Sequence, residues 1–95
     1  MDRGIAKLRV RPEGVEDFIK GVLELSVPTR AEKGCLGYEL YRSDDDPCDF
    51  YFVEHWATEE DFRRHMGSAH VAEFEKTVEK VAAAPVEPMR WHRVL

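Results

Sequence analysis

Ninety-five residues with a net charge of −5 and 43% hydrophobic side chains describe one small folded domain, spanning 1–95. The acidic balance excludes a general nucleic-acid binder, and no apolar run is long enough to span a membrane. A core this small gains from a partner subunit.

Ala6, Leu8 and Val10 alternate with Lys7, Arg9 and Arg11, which predicts a first strand over 4–11 with one buried face. Its beginning, MDRGIAKLRV, lacks the apolar centre of a signal peptide. The Pro12-Glu13-Gly14 turn follows. The period then changes: Val15, Phe18, Ile19, Val22 and Leu23 form one stripe of an amphipathic helix. Pro28 predicts a kink or a stop near Val27, with Gly34 as the final break.

Cys35–Ser43 reads as a second strand, with Leu36, Tyr38, Leu40 and Arg42 on one face. Asp44-Asp45-Asp46-Pro47 is a hairpin loop without the ligand spacing of a calcium loop. Phe50–Trp56 is the third strand: Phe50, Phe52, Glu54 and Trp56 share one face, and Tyr51, Val53 and His55 the other. Large apolar groups on both faces predict cover on both sides. Thr58 caps a short helix carrying Phe62, His65 and Met66; Gly67-Ser68 breaks it, and Ser68 starts the next. Val71, Phe74, Val78 and Val81 make that helix's buried stripe, and Met89–Leu95 is the fourth strand.

The order β-α-β-β-α-β, with its second helix broken, predicts a ferredoxin-like α+β fold: a four-stranded antiparallel sheet with helices on one face. The open face predicts a homodimer packed sheet to sheet. Cys35 and Cys48 form no CxxC and lie too far apart along the hairpin for a disulfide, so both are expected as reduced thiols in a cytoplasmic protein.

Four segments together resemble the antibiotic biosynthesis monooxygenase family: Pro28–Cys35, Tyr38–Arg42, Glu54-His55-Trp56, and His65-Met66-Gly67-Ser68-Ala69-His70. The resemblance implies a dimeric α+β barrel. It also implies a cofactor-independent oxygenase acting on quinols or polycyclic phenols with dioxygen, needing no metal or flavin. Some relatives of that family modify small signalling molecules, and others degrade haem. The haem degraders use an Asn, a Trp and a His where this chain has Ala6 or Lys7, His65 and Glu75, which argues against haem.

Within that frame His65 is the candidate general base, since imidazole titrates near neutral pH. The alternative is a helix histidine bonded to a nearby carbonyl. His70, at a helix start, is either a hydrogen-bonding imidazole at the site or a structural support for the break. Glu54, a carboxylate on an otherwise apolar strand face, must be paired or shifted, and either orients an imidazole or bridges to an arginine. Trp56, Phe52, Tyr38 and Phe62 are candidate substrate walls or plain core. His65 and His70 stand five apart across a helix break, without a strong third ligand, so no metal is expected. Two other readings remain: a non-catalytic dimeric binding module, and an isomerase or lyase using the same base on a small metabolite.

Overall fold

The computed structural model describes residues 3–95. Seven elements follow in order: β1 (Arg3–Arg9), α1 (Val15–Ala31), β2 (Cys35–Arg42), β3 (Asp49–Trp56), α2 (Glu59–Met66), α3 (Ala69–Val81) and β4 (Glu87–Trp91). The strands form one antiparallel sheet in the order β2-β3-β1-β4. This is the expected ferredoxin-like arrangement, with a 3-10 turn over Pro12–Gly14 ahead of α1.

The registers sort the strands into two faces. Ala6 pairs with Phe52, Leu8 with Phe50 and Leu40 with Phe52, so these side chains share the helix-covered face. Ile5 pairs with Val53 and Met89, and Lys7 with Tyr51 and Glu87, on the other. Phe18 of α1 sits at the centre of the core, its ring centroid 4.8 Å from Phe50, 6.1 Å from Phe52 and 6.0 Å from Phe74.

Three local expectations change. The buried stripe of α1 is Phe18, Val22, Leu25 and Thr29, and Leu23 is exposed, because the 3.6-residue period carries the contact row past it. Leu36 turns outward, since a bulge between Cys35 and Gly37 interrupts the alternation of β2. β4 begins at Glu87 and ends at Trp91, and Pro88 is tolerated because β4 is an edge strand.

Pro28 lies inside α1 without stopping it. The helix ends instead at Ala31, where the Glu32 amide donates to the Thr29 carbonyl. Gly34 then adopts φ +82°, a conformation that favours glycine. A Cβ there would fall 2.1 Å from Asp61 Oδ2, so the α1–β2 turn presses directly on the first turn of α2. That contact sets Glu32, two residues earlier, beside α2.

Candidate functional site

Helix α2 begins at Thr58, whose Oγ1 accepts from the Asp61 amide at 3.1 Å. Glu59, Glu60 and Asp61 occupy its first turn, where negative charge suits the helix dipole. One turn further on, His65 points inward and is 2% exposed. Gly67 ends α2, and Ser68 Oγ accepts from the Val71 amide to start α3, which places His70 in the first turn of α3.

Glu32 joins the two histidines. Its Oε2 lies 2.6 Å from His65 Nδ1 and 3.1 Å from His70 Nε2. The other nitrogen of His65, Nε2, is 3.5 Å from Glu54 Oε1. Trp56 Nε1 donates to that same Glu54 oxygen at 3.0 Å. The result is a chain of polar groups, Trp56–Glu54–His65–Glu32–His70, buried at its Trp56, Glu54 and His65 members and partly exposed at Glu32 and His70, assembled from β3, α2, the α1–β2 turn and α3.

Burial raises the Glu54 carboxyl above its ordinary range; the Trp56 hydrogen bond and His65 pull it down in part, and Glu32 adds to the rise. Tyr38 is pushed far above the usual phenol range, first by burial and then by Glu54, so its hydroxyl stays protonated. The Tyr38 ring meets His65 edge-on at 5.7 Å.

Beside this chain lies a cavity of about 300 Å³, at the small end of ligand pockets. Its wall is mostly apolar: Leu8, Leu25, Phe52, Val71, Phe74, Val78 and Pro88 among others. The polar side chains on its wall are Tyr38, Glu54, His65 and Glu75.

Among the expected site residues, Glu54, His65, Phe52 and Tyr38 meet in this one cavity. Trp56 does not line it. The indole packs 4.7 Å from the His65 ring at 30°, because its buried N–H needs the acceptor that Glu54 offers two residues earlier on the same strand face. Phe62, one turn before His65, is half-buried outside the lining. His70 opens instead onto a neighbouring groove with Glu24 and Glu73, and reaches the chain through Glu32. Glu32 itself was not among the expected site residues; its one signal is its place in the Pro28–Cys35 segment. Its carboxylate and the two imidazoles offer three metal-ligand-type atoms, all within 4.8 Å of one another.

The sequence profile of the antibiotic biosynthesis monooxygenase family matches residues 3–77. The chain belongs to this family. It is 28% identical over 85 residues to the Bacillus subtilis protein named "Putative monooxygenase YcnE", covering 90% of each chain. It is 30% identical over 83 residues to "Putative monooxygenase Rv0793" of Mycobacterium tuberculosis, covering 86% of this chain and 80% of that one. Among solved structures, PA3566 from Pseudomonas aeruginosa superposes with a TM-score of 0.88 at 28% identity, over 98% of this chain and 93% of that one. The structure named "Putative antibiotic biosynthesis monooxygenase from Nitrosomonas europaea" shares the fold over the full length of both chains, with a TM-score of 0.93 at 23% identity. No helix among the described residues is long and apolar enough to cross a membrane.

Proposed function

We propose that this family member is a cofactor-independent monooxygenase that oxidises a quinol or polycyclic phenol with dioxygen, working as a homodimer joined through the open sheet face. The observation that carries the reading is the dyad at the cavity wall: His65, which lines the cavity, is held at Nδ1 by Glu32 at 2.6 Å and has its second nitrogen 3.5 Å from Glu54, another lining residue.

The chemistry follows from that placement. In the tautomer this reading requires, Glu32 accepts the Nδ1 proton of His65, which leaves the lone pair on Nε2, the nitrogen beside Glu54 of the cavity wall. Nε2 takes the phenolic proton, and Glu32 stabilises the imidazolium that forms. The substrate anion, electron-rich at a ring carbon, passes its electrons to dioxygen and bonds to it there. The imidazolium returns its proton to the peroxide. Loss of the ring hydrogen as a proton then breaks the O–O bond and releases water. One oxygen atom stays on the ring as a carbonyl, the other leaves in water, and no outside reductant is consumed. Phe52, Phe74 and Tyr38 supply an apolar wall for a planar ring, and Glu54, fixed by Trp56, orients the substrate hydroxyl.

Oxygen uptake by metal-stripped protein, measured with a panel of quinols and hydroxynaphthalenes, tests the reading. His65→Ala should lower the rate by about 10²–10⁴-fold. Undiminished uptake in that variant would move the base elsewhere. Turnover of a small metabolite without oxygen would favour an isomerase or lyase, and binding without turnover a carrier module.

A further inference from the structure

Sequence spacing presents two imidazoles five residues apart and no third donor. The fold brings one in from 33 residues before His65. We infer that Glu32, His65 and His70 form a binding site for a divalent transition-metal ion of zinc type, on the Nδ1 side of His65, across the ring from Glu54.

Two imidazole nitrogens and one carboxylate oxygen are a donor set suited to Zn²⁺ and Co²⁺. Around a tetrahedral ion with bonds of the usual length, donors sit about 3.3 Å apart. Here the shared Glu32 oxygen stands 2.6 Å and 3.1 Å from the two nitrogens, and no pair exceeds 4.8 Å. Small side-chain rotations therefore open the space an ion needs. The outer support is already in place. A ligating imidazole is usually braced by a carboxylate on its second nitrogen. His65 Nε2 faces Glu54 at 3.5 Å, and Glu54 is itself held by Trp56. Access is from the His70 side: its side chain is 25% exposed and shares its groove with the carboxylates of Glu24 and Glu73. Water from that groove supplies the remaining coordination.

Proton and ion are alternatives for the same three atoms. In the hydrogen-bonded cluster a proton lies between Glu32 and each imidazole. When the ion enters, each neutral imidazole keeps one proton but carries it on its other nitrogen. His65 then bears its proton on Nε2, directed at Glu54, and has no lone pair on that nitrogen. The ion is thus a lock on the base rather than a cofactor, a consequence that rests on the monooxygenase reading; the site itself does not.

Calorimetric titration of metal-stripped protein with zinc chloride should show one saturable site. Cobalt(II) chloride should develop the visible absorption of a tetrahedral ion. Long-range ¹H–¹⁵N spectra should show zinc shifting His65 Nδ1 and His70 Nε2. His70→Ala, at the open edge of the cluster, should weaken binding by at least about tenfold, and Glu32→Gln should do the same. Glu73→Gln should leave it unchanged. No saturable uptake overturns the site, as does uptake that survives both His70→Ala and Glu32→Gln, which would place the ion on surface carboxylates. Where oxygen uptake is present, it should fall in step with zinc occupancy; full occupancy with undiminished uptake would overturn the lock. Because the titration needs no turnover, a failed search for oxygenase activity leaves the result on the site intact.

Discussion

On β3, Phe50, Phe52, Glu54 and Trp56 face the helices and are all buried, whereas Tyr51, Val53 and His55, interleaved with them, remain partly accessible. Both faces of the strand carry apolar side chains, the heavier set on the helix side. They differ in what the polar residue on each has for company. On the helix side, Glu54 is surrounded by groups that answer it: the Trp56 N–H, the His65 ring and, beyond that, Glu32. On the open side, Ile5, Val53 and Met89 form a row across three strands, bordered by Lys7, Tyr51 and Glu87. A polar group is kept inside a small core by partners that answer it, here Trp56 of the same strand and His65 of α2. Among the described residues no helix covers the open face, and the proposed homodimer would place a second copy there.

The sharpest contrast between the faces is energetic. Phe18 touches three aromatic rings and is fully buried, so Phe18→Ala should destabilise by about 3–5 kcal/mol in urea unfolding. A loss near 1 kcal/mol would mean that the core collapses around the gap. On the other face, Ile5→Lys should leave the circular dichroism spectrum intact while halving the mass in sedimentation equilibrium, because two added charges would meet across the proposed interface. A dimer that persists in this variant would place the contact elsewhere.

On the covered side, the turn after α1 presses against α2. Gly34→Ala forces a Cβ against Asp61 and a side chain into positive φ, with an expected loss of about 2 kcal/mol. It should also draw Glu32 away from His65, visible as a change in the ¹⁵N shift of His65 Nδ1. Wild-type stability and an unmoved resonance would show that this turn does not position Glu32.

Much of this was legible in the residue pattern, and the exceptions have physical causes. Alternation in 4–11 and 50–56 and the stripes at 3.6 spacing in α1 and α3 identified the sheet, the helices and the buried side of β1. Thr58 and Ser68 announced both caps, and both form. Leu36 was misplaced because a bulge depends on the partner strand's register, which one strand alone does not encode. Glu54 and His65 were identifiable as polar residues among apolar neighbours. Glu32 was not, since its helix-end position looks like solvent and its role comes from a contact made through Gly34 and Asp61. For Trp56 the residue pattern leaves substrate wall and plain core both open; its indole rests against His65, and its N–H finds its acceptor in Glu54.

The finest test of the contrast leaves volume almost untouched and removes only a charge. Glu54→Gln keeps an acceptor for the Trp56 N–H and nearly the same shape, so its effect on stability should be the smallest of these at low pH. The sign of its pH dependence is fixed by burial. The folded-state carboxyl ionises at higher pH than the same group in the unfolded chain, whose ordinary value is 4.5. Between those two points the unfolded chain has already released a proton that the folded protein still holds, so stability falls as pH rises. The contribution is complete below 4.5 and is lost as pH climbs through the folded-state value. Asp61 works in the opposite direction, because Arg64 and Thr58 hold its carboxyl below the usual range and its contribution is lost on acidification. Subtracting the variant's urea midpoint from the wild type's at each pH cancels Asp61 and isolates Glu54. The difference should decline as pH rises from 4.5; a flat line would mean that the carboxyl ionises at the same pH in the folded and the unfolded chain, and that its neighbours offset the burial in full.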